Sequence, residues 1–169
     1  MRAFALLPLL FVASCGGGTT ENKAASAVAA PSPGQWELTS QVSRFRKADQ
    51  GAARIDTPVG TRATQSLCVA AGGRLPTEMY SGEGFDCSFG NYYVRNGRTS
   101  VTLNCHREGL TGEIPMTVDG TFEADSISLH RNLRTVLTTD GDVEIDAEIT
   151  GRRTGACTPA APGEGQNKQ

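Results

Sequence analysis

Apolar and polar residues alternate with a period of two along most of the chain, most clearly in residues 114–122, 127–133 and 143–149. Successive side chains of a β-strand point to opposite faces, so each run predicts a strand with one apolar face. Turn residues separate the runs, as at Asn96-Gly97 and Asp140-Gly141. The sequence therefore predicts an all-β fold, an antiparallel meander of about seven or eight strands. The shared apolar face must be covered, which favours a sheet curled into a half-barrel or barrel-like form.

The turn at Asn96-Gly97 allows the register of one hairpin to be predicted. A two-residue loop would place Arg95 opposite Arg98 and would mix apolar with polar residues along the pair. A three-residue loop, Arg95-Asn96-Gly97 with a left-handed Gly97, matches the apolar residues of the two strands instead. The second register is the one we expect, and its opposed pairs are Val94–Arg98, Tyr93–Thr99, Phe89–Leu103 and Cys87–Cys105.

The same reasoning extends to the other strands. Phe45 is out of phase with Trp36, Leu38 and Val42, which predicts a bulge or a strand end near Ser43. Downstream, a bulged turn at Asp140-Gly141 is expected. The opposed pairs predicted there are Phe122–Ile127, Met116–Leu133, Leu137–Val143, Leu133–Ala147 and Arg134–Asp146.

The first 14 residues resemble an export signal. They carry one charge, Arg2, then an apolar run at residues 3–12, and small residues directly before Cys15. This lipobox pattern predicts a signal peptide at 1–14 and a lipidated Cys15 that anchors the protein to a membrane. A transmembrane helix is disfavoured because the run is short, and an ordinary secretory signal with a chance cysteine is the alternative. An aspartate directly after the lipidated cysteine is the inner-membrane retention signal of enteric bacteria. Gly16 occupies that position here, which favours anchoring at the periplasmic face of the outer membrane.

Composition divides the remainder of the chain. Residues 15–33 read as the lipidated cysteine and a flexible linker, residues 34–157 as one β domain, and residues 158–169 as a disordered tail. The formal net charge of −2 is too small to indicate nucleic-acid binding.

Four cysteines remain if Cys15 carries lipid, and an exported protein meets an oxidising compartment. Opposed residues in an antiparallel pair have Cβ atoms about 4.5–5.5 Å apart, so the hairpin register predicts a Cys87–Cys105 disulfide. Elimination then gives Cys68–Cys157. A metal site is the rival interpretation, but the closely spaced cysteine pairs of such sites are absent from the sequence.

The sequence offers little for catalysis. The acids between Asp140 and Glu148 lack the glycine that a calcium loop needs, because Ile145 occupies that position. His106 and His130 are predicted to point away from the apolar face, and nucleophile-elbow and phosphate-loop motifs are absent. We therefore expect no enzyme, no cofactor and no metal, with an enzyme of unknown type as a remote alternative.

Two other hypotheses are open. Gly34-Gln35-Trp36 is similar to the G-x-W of lipocalins, which hold small apolar ligands, although a core tryptophan after a turn glycine explains it as well. The first hypothesis is an envelope lipoprotein that acts through protein or envelope contacts, and the second is a lipocalin-like binder of a small apolar ligand. A filled core would favour the first, and a large apolar cavity the second.

An ordered set of short segments carries a resemblance to one family. The set is Pro33-Gly34-Gln35-Trp36-Glu37, Gln65-Ser66-Leu67-Cys68, Asp86-Cys87-Ser88, Cys105, Gly120-Thr121-Phe122 and Gly151-Arg152-Arg153-Thr154-Gly155-Ala156-Cys157. From Pro33 to Cys157 the chain resembles the proteobacterial domain-of-unknown-function family numbered 3617. The resemblance implies an exported, often lipid-anchored envelope protein, and it implies no reaction, substrate or cofactor.

Overall fold

A computed structural model describes residues 30–157, which form eight β-strands and one short helix. The elements in chain order are β1 (Gly34–Lys47), β2 (Arg62–Val69), α1 (Glu78–Ser81), β3 (Asp86–Arg95), β4 (Arg98–His106), β5 (Gly112–Phe122), β6 (Ser126–Arg134), β7 (Val136–Leu137) and β8 (Val143–Gly155). Within these described residues, no helix has the length and apolar character needed to cross a membrane.

The strands form one antiparallel sheet in the order β2-β1-β8-β6-β5-β4-β3, and β7 pairs with the start of β5. The predicted meander is confirmed, because β3, β4, β5 and β6 pair in succession and β8 then adds beside β6. The chain returns to β1 beside β8, which leaves β2 and β3 as the two edges. The sheet is therefore a curled half-barrel, as its single apolar face requires.

The segment of residues 70–85, here called the plug, connects the two edge strands. On the β2 side, Gln65 Nε2 donates a hydrogen bond to the Glu78 carbonyl oxygen (2.6 Å). On the β3 side, the Tyr92 hydroxyl accepts a hydrogen bond from the Leu75 N–H (3.1 Å). Met79 is 1% exposed and belongs to the hydrophobic core. The plug thus covers part of the apolar face that eight strands alone leave open.

Several predicted registers are confirmed. The β1–β8 pairing shifts between Val42 and Arg44, which places a bulge at Ser43. The confirmed opposed pairs are Phe89–Leu103, Cys87–Cys105, Met116–Leu133 and Phe122–Ile127.

The predicted turn between β3 and β4 was wrong. The loop has two residues, so Arg95 is opposite Arg98, Val94 is opposite Thr99 and Tyr93 is opposite Ser100. Asn96 and Gly97 both have positive φ (55° and 74°), the geometry that matches the twist of a hairpin. The extra residue lies at Gly90 instead, where a Cβ would come within 3.0 Å of Thr102 Oγ1. Both arginines are exposed, so solvent screens their repulsion.

The register predicted between β6 and β8 was also wrong, by two residues. Leu133 is opposite Ile145 rather than Ala147, and Arg134 is opposite Glu144 rather than Asp146. Leu137 pairs with Gly112 of β5 rather than with Val143. The connection between Arg134 and Glu144 is longer than a bulged turn, and within it Asp142 Oδ1 accepts a hydrogen bond from the Leu137 N–H (3.0 Å). A shift of two preserves the side-chain faces, so the apolar pattern alone did not reveal it.

Candidate functional site

The four cysteines of the domain form the two predicted disulfides. Cys68 of β2 is bonded to Cys157 with the Cα atoms 5.4 Å apart, and Cys87 is bonded to Cys105 with the Cα atoms 4.1 Å apart. The first bond ties an edge strand to the residues after β8, and the second joins β3 to β4. Cys15, the predicted lipidation site, lies outside the described residues.

Two acidic residues of β8, Glu144 and Asp146, form ion pairs with β1 on the outer face. Arg44 Nε lies 2.5 Å from Asp146 Oδ2, and Arg46 pairs with Glu144. The pKa of Glu144 is lowered by the hydrogen bond from Arg46. Burial would raise the pKa of Asp146, but hydrogen bonds from Arg44 and Asn132 outweigh it and the pKa is lowered. These carboxylates therefore have a structural role in joining β1, β6 and β8.

The histidines and the tryptophan have separate surroundings. His106 Nδ1 lies 3.1 Å from the Gly112 carbonyl oxygen, and exposed His130 lies on a different strand. Over residues 30–157, no three His, Cys, Asp or Glu side chains are grouped closely enough to hold a metal ion. Trp36 is fully buried and its Nε1 donates to the Ser32 carbonyl oxygen (3.0 Å), as expected of a core residue.

The sequence analysis missed a buried charge on the apolar face of the sheet. Arg131 occupies an inward position of β6 between Leu129 and Leu133, and it is 9% exposed. The period-two pattern contained the signal, because position 131 falls on the apolar face and holds an arginine. A charged residue at such a position is rare unless it is paired or functional.

The guanidinium of Arg131 is only partly satisfied. Nη1 donates hydrogen bonds to the carbonyl oxygens of Tyr80 (3.3 Å) and Ser81, while Nε is buried without a partner. No carboxylate of residues 30–157 lies within salt-bridge distance of it. Burial lowers the pKa of Arg131 to about 10, so the side chain remains a cation at neutral pH.

Arg131 lies in the wall of two adjoining clefts between the plug and strands β1 and β2. The smaller cleft has a volume of about 120 Å³ and the other about 220 Å³. Both are bounded by Ser40, Ala63, Gly82, Glu83 and Arg131. Three of these residues are small, which leaves the space open. We call these two clefts together the Arg131 cleft.

The walls of the smaller cleft combine apolar and polar groups. Leu38, Met79 and Ile149 are each at most 3% exposed and form the apolar side. Ser40, Thr64, Gln65 and Glu83 supply polar groups. Gly82 allows close approach, because a Cβ there would lie 3.4 Å from Arg131 Nη1 and its φ is +81°. An apolar wall beside a few fixed polar groups is the usual composition of a small-molecule site.

Comparison with known proteins identifies the family. The family described as "Protein of unknown function (DUF3617)" matches residues 31–157, which is most of the chain and nearly all of the described part. No curated protein and no solved structure matches the chain significantly. The match agrees with the ordered segments and four cysteines of the sequence, and this chain therefore belongs to the DUF3617 family of proteins of unknown function.

Proposed function

We propose that this protein is a lipid-anchored, non-enzymatic binding domain of the bacterial cell envelope, which holds a small, mainly apolar molecule in the Arg131 cleft. The lipobox at Cys15 supports this localisation, and we place the protein on the periplasmic face of the outer membrane. The two disulfides support it independently, because such bonds persist in oxidising compartments such as the periplasm.

The observation that carries the binding proposal is the buried guanidinium of Arg131 in the cleft wall, which lies beside apolar side chains and has no carboxylate partner among residues 30–157. Burying a cation without a carboxylate partner costs free energy, and a buried donor without an acceptor adds to that cost. A buried ionisable group in a cleft is a candidate for a functional site, and here an anionic ligand would supply the missing partner.

The site differs from the interior of a lipocalin. Core side chains and the helix of the plug fill the concave face, with Tyr80 and Met79 each 1% exposed. The proposed ligand therefore lies between the plug and the β1–β2 edge rather than inside a barrel. Each of the two clefts, at about 120 and 220 Å³, is below the roughly 300–1,000 Å³ typical of ligand sites. Action through protein or envelope contacts is therefore the second candidate.

Native mass spectrometry tests the binding proposal on protein exported to the periplasm. For this purpose Cys15→Ser is placed behind an ordinary secretory signal, so that no lipid anchor competes for the cleft. We expect an additional mass of small-molecule size that is lost on denaturation. Ala63→Trp places a bulky side chain in the cleft and should abolish the additional mass.

Arg62→Trp is the matched control, because Arg62 is exposed on the same edge strand and lies outside the cleft. It should retain the additional mass. An additional mass that survives Ala63→Trp would place the ligand elsewhere. A bare protein mass in every variant would favour protein or envelope contacts instead.

A further inference from the structure

We propose that the ligand of the Arg131 cleft carries a single carboxylate, which pairs with the guanidinium of Arg131, while an apolar tail lies against the cleft wall. This inference rests on the proposed binding function and adds to it the chemical class of the ligand. It starts from a cation that the fold buries and leaves incompletely hydrogen-bonded.

The guanidinium is fixed before any ligand arrives. The carbonyl oxygens of Tyr80 and Ser81 accept hydrogen bonds from Nη1, so the plug holds the end of the side chain in place. Nε is the donor without a partner in the structure. Arginine presents its donors in a planar fork that matches the two oxygens of a carboxylate. A carboxylate in the cleft would pair with the guanidinium of Arg131 and supply the anionic partner that residues 30–157 do not provide.

The charges around the smaller cleft favour a monoanion. Among residues 30–157, Arg131 is the only cation in its wall, and Glu83, which is exposed, is the only acid. One carboxylate neutralises the buried guanidinium. A dianion such as a phosphate monoester would carry a second charge towards Glu83. In the adjoining cleft, Arg107 lies over the Phe85 ring (5.3 Å to the centroid), where the ring already partners it.

The apolar wall requires a ligand with a hydrocarbon part. Leu38, Met79 and Ile149 lie beside Arg131, so a molecule that reaches the guanidinium also contacts their side chains. The unbranched side chain of Met79 adapts to tails of different shape. A small inorganic anion would leave this wall without contacts, so an amphiphile is the better match.

The test uses three probes that share one tail: octanoate, octan-1-ol and octylamine, each below its micelle concentration or solubility limit. Binding is measured by titration calorimetry on the exported Cys15→Ser protein. We expect octanoate to bind about tenfold more tightly than octan-1-ol, because it gains a charge-assisted hydrogen bond. Octylamine should bind more weakly than either, because its cation faces Arg131.

A variant pair assigns the difference to Arg131. Arg131→Gln should remove the preference for octanoate over octan-1-ol, whereas Arg134→Gln, on the same strand but exposed, should keep it. If Arg131→Gln does not fold, an NMR measurement on the wild-type protein tests the same inference. The NMR signal of the Arg131 Nε–H group should shift with octanoate and stay in place with octan-1-ol. Binding of octanoate without that shift would overturn the inference.

The outcomes separate the two proposals. Equal binding of octanoate and octan-1-ol, both blocked by Ala63→Trp, would overturn the carboxylate inference and leave the cleft as a binding site. Failure of all three probes to bind the wild-type protein would count against the cleft itself, and the inference would fail with it.

Discussion

The Nη1 group of Arg131 donates a hydrogen bond to the carbonyl oxygen of Ser81, so a side chain of β6 holds the C-terminal end of α1. The last carbonyls of a helix have no hydrogen-bond partners within it, and a donor placed there satisfies them. Arg131 therefore joins the sheet to the plug and also forms a wall of the cleft.

Replacing Arg131 by alanine should destabilise the domain by roughly 1–3 kcal/mol, because two buried carbonyl groups lose their donor and the site loses packing. Urea unfolding followed by fluorescence measures this, since Trp36 is the only tryptophan and is fully buried. Arg134→Ala, at an exposed position, should change the free energy of unfolding by about 0.5 kcal/mol or less. Equal effects of the two variants would contradict the bridging role.

Replacing Cys15 by alanine behind an ordinary secretory signal should release the protein from the membrane fraction, because alanine cannot carry the lipid anchor that the lipobox predicts. Fractionation and blotting of cells that carry either form provide the measurement. Ser14→Ala keeps the small residue before the cysteine and should remain in the membrane fraction. Persistence of the Cys15→Ala protein in the membrane would refute the anchor.

The two disulfides should contribute unequally to stability. Cys68–Cys157 spans 89 residues and Cys87–Cys105 spans 18, so the first restricts the unfolded chain more. Loop-closure entropy predicts that Cys68→Ser/Cys157→Ser costs about 1 kcal/mol more than Cys87→Ser/Cys105→Ser. Denaturant unfolding of both double variants decides the order. The reverse order would indicate that packing around the fully buried Cys105 outweighs chain entropy.

Asp49 should make stability depend on pH. Its carboxylate accepts hydrogen bonds from the N–H groups of Asp142, Gly141 and Gly51, which lower its pKa in the folded state. The folded pKa is below the unfolded value of about 3.9, so the stabilisation is complete above that value. It is lost as the pH falls through the lowered folded pKa.

The difference in melting temperature between wild type and Asp49→Ala should therefore be large at pH 7 and shrink at pH 3. Asp56→Ala, which removes an exposed carboxylate from the neighbouring segment, is the control and should show a small, flatter difference. A pH-independent effect of Asp49→Ala would assign its role to packing rather than to the charged hydrogen bonds.

Gly151 of β8 lies where two buried side chains meet. A Cβ there would clash with Leu38 Cδ2 and come within 2.7 Å of Ile127 Cγ1. Gly151→Ala should cost roughly 1–3 kcal/mol through overpacking, measured as a lower urea midpoint with an unchanged slope. Thr150→Ala, at the adjacent exposed position, should have a much smaller effect. No loss for Gly151→Ala would mean that the core adjusts freely there.

The hairpin of β3 and β4 shows which features the local sequence pattern can predict and which it cannot. Any single extra residue on the β3 side, in the turn or further along, aligns Cys87 with Cys105 and Phe89 with Leu103. The disulfide was therefore predictable. The position of the bulge depends on where the opposite strand comes too close to leave room for a side chain. At Gly90 a Cβ would lie 3.0 Å from Thr102 Oγ1, so a residue without a side chain fits there. The turn pattern contained no information about that contact.

The alternation of apolar and polar residues was enough to predict the strands, their apolar face and the Cys87–Cys105 bond, because these depend on local geometry that the chain carries with it. The second disulfide, Cys68–Cys157, followed by elimination, and the family followed from the ordered segments. The tertiary structure alone decided what covers that face. Parity places Arg131 inward, but its role depends on the plug, whose carbonyl oxygens come from residues some fifty positions earlier. A cleft is the space that two such segments leave between them, and no periodicity within either segment encodes it.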